Sequence, residues 1–145
     1  MKTTATRRIQ FCAGHRVKGH ESKCANLHGH NYVAFIHATA DSVDSIGRII
    51  DFSVLKEKIG GWIDKNWDHT MILFHEDLET IRLCAKVPER NKEIFLLGKN
   101  PTAENMAEFL LKEICPEELK DTGVKVNKIT LWETENCFAE VSLDD

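Results

Sequence analysis

The chain has 145 residues, of which 42% are hydrophobic and 29% charged, and its net charge is −4. These values are typical of one globular domain that buries a sizeable core. The negative charge argues against nucleic acid as a partner, and no apolar run approaches the roughly 18 residues of a membrane helix. The five scattered cysteines argue against a disulfide framework. No apolar stretch of secretory length follows the basic N-terminus, so the cytoplasm is expected.

The charges are unevenly distributed along the chain. Residues 1–23 hold six basic side chains against one acid, Glu21, whereas the remainder is net acidic. A local positive field on an acidic protein suits a small anionic ligand better than a polyanion. An ordinary solvated face explains the same pattern equally well.

Two strands and a helix are predicted first. Residues 3–13 and 29–40 are rich in the β-branched and aromatic side chains that favour strands. Residues 51–67 carry apolar side chains at helical spacing, which predicts a helix. The pair at 60–61 weakens the second half of this helix, since each glycine costs roughly 1 kcal/mol relative to alanine.

A second helix and two more strands follow. In PTAENMAEFLLKEICP (101–116), Thr102 is the predicted cap, apolar side chains share one face, and Pro116 ends the helix. Strands are predicted over 124–133 and 137–143, joined by the polar turn TEN.

The order strand, strand, helix, helix, strand, strand predicts an α+β fold, with two helices on one face of an antiparallel sheet. No repeat or linker divides residues 1–145, so a single domain is expected. Residues 76–99 fit either a hairpin or an ordered loop. Four strands leave two exposed sheet edges, and exposed edges favour pairing with another subunit. A homo-oligomer is therefore predicted.

The stretch CANLHGHNY (24–32) places two histidines at the start of the second strand. His28 and His30 point to one face because strand side chains alternate, and Gly29 between them removes bulk. His15, at the end of the first strand, converges on them if the two strands form a hairpin. Three nitrogen ligands suit zinc and leave one coordination position open, as in catalytic sites.

Cys24 and His20 are rival ligands for this metal. A fourth ligand from Cys24 would close the site and make the metal structural. Alternatively, Cys24 acts as a base or nucleophile, because a nearby metal and Lys23 favour its thiolate. The adjacent Asp68 and His69 match a carboxylate–imidazole pair that tunes proton transfer, although a turn cap and a surface histidine explain them too.

Glu133 is an acidic residue in an otherwise apolar strand. By strand alternation it shares a face with Ile129 and Leu131, so its side chain is expected to point inward. A buried carboxylate is costly unless it meets donors, and a ligand with two N–H groups would satisfy it. A strand that ends in water at Glu133 is the alternative.

Six motifs in these regions are similar to those of one family. They are FCAGH (11–15), CANLHGHNY (24–32), DFSVLK (51–56), DH (68–69), PTAEN (101–105) and WET (132–134). Together they resemble the 6-pyruvoyltetrahydropterin synthase family, which includes the 6-carboxytetrahydropterin synthases. The resemblance implies the tunnelling fold, in which the sheets of several subunits join into an oligomeric barrel, usually a hexamer built from two trimers.

The resemblance also implies roles for single residues. The zinc ligands fall on three histidines: His15, His28 and His30. The catalytic groups fall on Cys24 and on the pair Asp68 and His69. Glu133 falls at the position that anchors the pterin and is also expected to relay protons as a catalytic residue, and Thr102 and Glu104 line the pocket. In this fold the pocket lies between subunits, so one active site is expected to take residues from more than one chain.

The spacing between Cys24 and His28 favours one branch of the family. Three residues, ANL, separate them, as in the carboxy-type enzymes of the deazaguanine pathway, whereas animal-type pyruvoyl enzymes have a longer insertion. A folate-type branch carries a glutamate near the cysteine position, and Glu21 keeps that branch open. The segment between His69 and PTAEN is longer than in the compact members.

The resemblance therefore implies a zinc-dependent lyase. It would convert 7,8-dihydroneopterin triphosphate to 6-carboxy-5,6,7,8-tetrahydropterin, acetaldehyde and triphosphate in queuosine biosynthesis. Arg16, Lys18 and Lys23 are candidates to hold the triphosphate, and no redox cofactor is expected because the hydrogen shifts are internal. Pyruvoyl formation, folate-type cleavage, a zinc-stabilised binding module and an unrelated zinc hydrolase are the alternatives.

Overall fold

The computed structural model describes residues 1–143, and six strands of this part of the chain form one sheet. The strands are β1 (Ala5–His15), β2 (His28–Thr39), β3 (Thr70–Phe74), β4 (Phe95–Leu97), β5 (Lys125–Thr134) and β6 (Cys137–Ser142). Their order across the sheet is β4-β3-β1-β2-β5-β6. The neighbours β1, β2, β5 and β6 pair antiparallel, as the sequence predicts.

Two helical segments pack on one face of the sheet. The first consists of α1 (Phe52–Leu55), a π-helical turn (Lys56–Gly60) and α2 (Gly61–Asn66). After a short helix α3 (Leu78–Ala85), the second consists of α4 (Ala103–Phe109), a π-helical turn (Leu110–Ile114) and α5 (Cys115–Glu118). Both segments bury their apolar faces with β1, β2 and β5 in one core. The predicted α+β fold is confirmed.

Two local features of the helices differ from the simplest expectation. The second segment continues past Pro116 to Glu118, although the sequence predicts its end at the proline. Proline lacks an N–H and crowds the preceding turn, and the wider turn Leu110–Ile114 lies directly before it. The first segment continues through its glycine pair, where a Cβ on Gly60 would lie 3.5 Å from Ile9 Cδ1. This is an ordinary van der Waals distance, so a methyl group would fit at this position.

The region around residues 76–99 contains structure that the sequence did not predict. It contains α3 and β4, not a hairpin, and β3 lies just before it. β3 pairs with β1 in parallel, and β4 pairs with β3 in parallel, so the sheet is mixed. Trp62, Trp67, Phe95 and Phe109 form an aromatic cluster that fixes β4 against the core. No helix in residues 1–143 is long and apolar enough to cross a membrane.

Candidate functional site

The hairpin of β1 and β2 brings three histidines together. His15 pairs with His28 in the strand register, and Ala13 pairs with His30, so the three imidazoles project to the core side of the sheet. Their ring centroids are 4.5, 4.9 and 5.0 Å apart. One nitrogen from each ring lies within 4.8 Å of the others. This is the convergence that the sequence predicts.

Hydrogen bonds around this group leave nitrogen lone pairs facing one another. Nδ1 of His15 lies 2.6 Å from the carbonyl oxygen of Pro101, and Nδ1 of His28 lies 2.7 Å from that of Asn26. A carbonyl only accepts, so each Nδ1 carries the proton and each Nε2 has a bare lone pair. These Nε2 atoms are 3.0 Å apart, and the buried Nε2 of His30 has no hydrogen-bond partner within residues 1–143. Converging lone pairs of this kind fit a divalent cation.

Burial keeps the imidazoles of His15 and His30 neutral. Burial lowers the pKa of His15 to about 4; the hydrogen bond to Pro101 opposes this shift, and His28 and His30 add to it. Burial also lowers the pKa of His30, although the charge of Glu133 opposes the change. Both rings are therefore neutral at physiological pH, and neutral imidazole is the form that binds a metal.

Glu133 lies beside this group on β5. Its Oε1 is 3.6 Å from Nε2 of His30, and its side chain is 24% exposed. This is the inward orientation that strand alternation predicts. Burial raises the pKa of Tyr32, and the charge of Glu133 raises it further, so the nearby tyrosine hydroxyl stays protonated. Glu133 thus offers a partly exposed carboxylate next to the histidines.

Cys24 lies outside the histidine group, on the 3-10 turn Lys23–Ala25. Its side chain is half-buried, and its sulfur is not among the ligand atoms that converge there within residues 1–143. Its carbonyl accepts a hydrogen bond from the Val17 amide at 2.9 Å. Nδ1 of His20 accepts one from the Ser22 amide, also at 2.9 Å. Neither rival ligand joins the three histidines.

A second group consists of Asp68, His69 and Cys12. Cys12 is not among the site residues that the sequence predicts. Oδ1 of Asp68 accepts from the Cys12 amide at 2.9 Å, and Oδ2 lies 3.0 Å from Nδ1 of His69. Sγ of Cys12 lies 3.6 Å from Nδ1 and 3.5 Å from Nε2 of His69. No local pattern pairs Cys12 with these residues, because the contact depends on the parallel pairing of β1 with β3.

The backbone holds this second group in place. The His69 amide donates to the Cys12 carbonyl at 2.6 Å, and φ of His69 is 59°. This left-handed conformation costs a non-glycine residue roughly 1–3 kcal/mol and is common at functional sites. Partial burial alone would raise the pKa of Asp68, but hydrogen bonds from Cys12 and His69 hold it below its usual range. Asp68 is therefore ionised at neutral pH.

An open cleft of about 530 Å³ lies beside the hairpin; its lining includes Cys12 and His69 of the second group, parts of His28 and His30, and Met71, but not His15. Thr102 caps α4 as predicted, accepting from the Asn105 amide at 3.1 Å, and Glu104 is exposed on the first turn of that helix. Neither residue lines this cleft. Their place in a pocket stays a prediction.

The three basic candidates for an anion differ in their environments. Arg16 donates to the buried Asp77 at 2.8 Å and to the carbonyl oxygen of Ala25 at 2.7 Å. Its guanidinium is thus engaged in an internal ion pair. Lys18 and Lys23 are exposed, and they are better placed than Arg16 to meet a ligand from solution.

Comparisons with known proteins agree with this arrangement. The family model for 6-pyruvoyl tetrahydropterin synthase matches residues 4–144. A protein of Rickettsia bellii named 6-carboxy-5,6,7,8-tetrahydropterin synthase is 43% identical over 94% of this chain and 97% of its own length. The structure of an uncharacterized protein from Wolinella succinogenes aligns over 99% of both chains, with a TM-score of 0.82 at 23% identity. The 6-pyruvoyl tetrahydropterin synthase of Caenorhabditis elegans aligns over 99% of this chain and 97% of its own, with a TM-score of 0.69 at 20% identity.

The chain therefore belongs to the 6-pyruvoyl tetrahydropterin synthase family, which is a family of enzymes. Its fold is the tunnelling fold of its structural neighbours.

Proposed function

We propose that this member of the 6-pyruvoyl tetrahydropterin synthase family is a zinc-dependent 6-carboxy-5,6,7,8-tetrahydropterin synthase. It converts 7,8-dihydroneopterin triphosphate and one water molecule to 6-carboxytetrahydropterin, acetaldehyde and triphosphate in deazaguanine biosynthesis. The observation that carries the proposal is the group of three converging histidines with Glu133 beside it. The name of the Rickettsia relative supports the carboxy product.

The three histidines are the residues that would hold zinc. Carbonyl oxygens fix the rings of His15 and His28 through Nδ1, which turns both Nε2 atoms toward the same point. With His30 they form an all-nitrogen donor set, which suits zinc and leaves room for substrate. Bound there, zinc supplies Lewis acidity toward the hydroxyl oxygens of the substrate side chain.

Glu133 fixes the orientation of the pterin. Its carboxylate accepts two N–H groups from the guanidine-like edge of the ring, a two-point contact. Because Glu133 lies 3.6 Å from His30, this contact holds the substrate next to the histidines.

Cys24 and the pair Asp68–His69 move protons. Cys24 as thiolate removes a proton from the side-chain carbon, and the pair relays protons together with Glu133. Side chains alternate along β1, so Cys12 lies on the opposite face of the sheet from His15. The pair Asp68–His69, which is hydrogen-bonded to Cys12, lies on that face too. We infer that the pair serves the site of a neighbouring subunit in a homo-oligomer, a hexamer of two trimers. The outer strands β4 and β6 offer the edges for such pairing.

Lys18 and Lys23 neutralise the triphosphate. Both are exposed, whereas the guanidinium of Arg16 is engaged with Asp77. All five cysteines are free thiols, which fits a reducing compartment such as the cytoplasm.

Mass spectrometry of the products tests the reaction. Zinc-loaded protein incubated with 7,8-dihydroneopterin triphosphate is expected to yield 6-carboxytetrahydropterin and acetaldehyde. A pyruvoyl product or a hydroxymethylpterin would assign the site to another branch of the family, and no turnover would contradict the proposed activity.

Two variants test the assigned roles. Cys24→Ala is expected to keep its zinc and lose most turnover; loss of zinc would make Cys24 a ligand. Glu133→Gln is expected to weaken binding of a pterin analogue, whereas Glu135→Gln, on the exposed turn between β5 and β6, is the matched control. Equal affinities for the two variants would remove Glu133 from the pterin site.

A further inference from the structure

We propose that Cys12, Asp68 and His69 form a second metal site, distinct from the three histidines, for a zinc-like divalent cation. The three residues offer a sulfur, a carboxylate oxygen and an imidazole nitrogen, and one atom of each lies within 4.8 Å of the others. Thiolate and imidazole are the ligands that borderline cations such as zinc and cobalt prefer.

The separation of sulfur and nitrogen fits a shared cation. Zinc bonds of about 2.3 Å to sulfur and about 2.0 Å to nitrogen at a tetrahedral angle place the two ligand atoms roughly 3.5 Å apart. Sγ of Cys12 lies 3.5 and 3.6 Å from the two ring nitrogens of His69. The His69 side chain is 74% exposed, so its ring can turn to present either nitrogen.

Main-chain hydrogen bonds hold the donors in place. The Cys12 amide donates to Oδ1 of Asp68, and the His69 amide donates to the Cys12 carbonyl. Oδ1 therefore stays engaged with the backbone while Oδ2 is left to bind the cation, the kind of supported carboxylate that is usual in metal sites. Oδ2 now lies 3.0 Å from Nδ1 of His69, and a cation would take the place of the shared proton.

The charges favour a divalent ion but limit its affinity. A thiolate and a carboxylate carry two negative charges, which a divalent cation neutralises. Lys92 opposes the cation: its ammonium donates to the Asp68 carbonyl oxygen at 2.6 Å. Within residues 1–143 no lysine or arginine hydrogen-bonds to the three histidines, so we expect them to fill first and the second site to fill at higher metal concentration.

The second site has a consequence that rests on the proposed function. Asp68 and His69 are the proposed proton relay. A cation bound to both would take them out of proton transfer, so excess zinc is expected to inhibit turnover. Cys12 would thus make the relay sensitive to metal concentration.

Cobalt titration tests the site independently of any activity. Cobalt bound to a thiolate shows a sulfur-to-metal charge-transfer band in the near ultraviolet, which a site made only of histidines lacks. During the cobalt titration this absorption band is expected to appear only after the three-histidine site is full. Cys12→Ser is expected to abolish it, while Cys24→Ser and His28→Ala, each checked for folding by circular dichroism, are expected to keep it. A band that is absent from the native protein, or that is lost in Cys24→Ser and kept in Cys12→Ser, would overturn the proposal.

Zinc inhibition tests the regulatory consequence. The zinc concentration that inhibits the native enzyme is expected to be at least about tenfold lower than the concentration that inhibits Cys12→Ser. The reason is that the loss of one metal ligand weakens binding at least as much as the loss of a residue that supports a ligand. Equal sensitivity would overturn metal regulation. Lack of turnover at one zinc per chain would contradict the proposed function instead, and the cobalt band would still decide whether the second site exists.

Discussion

The two groups of metal-seeking side chains in this protein are built in opposite ways. The three histidines lie within a single hairpin, and His15 is 1% exposed. Cys12 meets Asp68 across 56 residues of chain, and the His69 side chain is 74% exposed. A mostly buried group, with the rings of His15 and His28 fixed by carbonyl oxygens, is suited to hold one cation permanently. A group whose imidazole is exposed to solvent is suited to exchange a proton or a second cation.

The largest expected effect separates the two groups by their metal content. His28→Ala should weaken metal binding by more than about 100-fold, because even the loss of a supporting hydrogen bond costs about 10–100-fold. His69→Ala is the matched variant and should keep the tightly bound metal. Elemental analysis after gel filtration measures both. Full metal content in His28→Ala would refute the three-histidine assignment.

The next effect concerns the ion pair between Arg16 and Asp77, which lies next to the histidine group. Asp77 is 2% exposed at its side chain and pairs with Arg16, the residue after His15. Asp77→Asn leaves the partly buried guanidinium without its counter-charge and should lower the free energy of unfolding by about 2–3 kcal/mol. Urea denaturation checks this, with Glu79→Gln on the exposed side of α3 as the control. Equal stability of the two variants would show that the ion pair contributes nothing.

Burial of His15 should make the metal-free protein sensitive to acid. Its pKa in the folded state is lowered to about 4, so protons bind the unfolded chain preferentially below the ordinary value of about 6.5. The contribution of neutral His15 to the free energy of unfolding is therefore complete above pH 6.5 and is lost as the pH falls toward 4. The expected loss is about 2 kcal/mol between pH 7 and 5.

Denaturation of chelator-treated protein across this pH range measures the loss. His30, whose pKa is also lowered, acts in the same direction. His15→Asn should show a shallower slope, and a slope unchanged in that variant would mean that other groups cause it.

The smallest expected effect concerns the glycine between two of the ligands. A Cβ on Gly29 would lie 3.0 Å from the carbonyl oxygen of Ala13, so the backbone of the neighbouring strand would have to shift by a few tenths of an ångström. Gly29→Ala should destabilise the protein by about 1 kcal/mol. Gly61→Ala is the control of opposite sign: apart from its own helix backbone and chain neighbours, no atom of residues 1–143 lies within 4 Å of the added Cβ, and the Gly61 backbone is helical. It should stabilise the protein by up to about 1 kcal/mol, as thermal unfolding would show. Equal shifts would contradict the tight approach at Gly29.

The elements that the sequence predicts correctly are those with a strong local period. β1 and β2 alternate between buried and exposed residues over most of their length, and the helix at 101–116 begins at its Thr102 cap. β3 and β4 have five and three residues, too short for a clear alternation, and their parallel pairing needs partners far along the chain. The sequence predicts that the second helix ends at Pro116 because proline normally breaks a helix. It does not show the wider, π-helical turn Leu110–Ile114 that precedes Pro116 in a helix continuing past it.

The sequence by itself determined the histidine group, because its three members belong to adjacent strands of one hairpin and alternation fixes the face on which each side chain lies. The same alternation predicts that Glu133 points inward, and the structure decides against a strand end in water at this residue. Only the tertiary structure decided that Cys12 joins Asp68 and His69, and that Arg16 is engaged in an ion pair. Those contacts arise where β1 pairs with β3 and where α3 packs near the end of β1, and no local pattern in the sequence encodes such distant pairings.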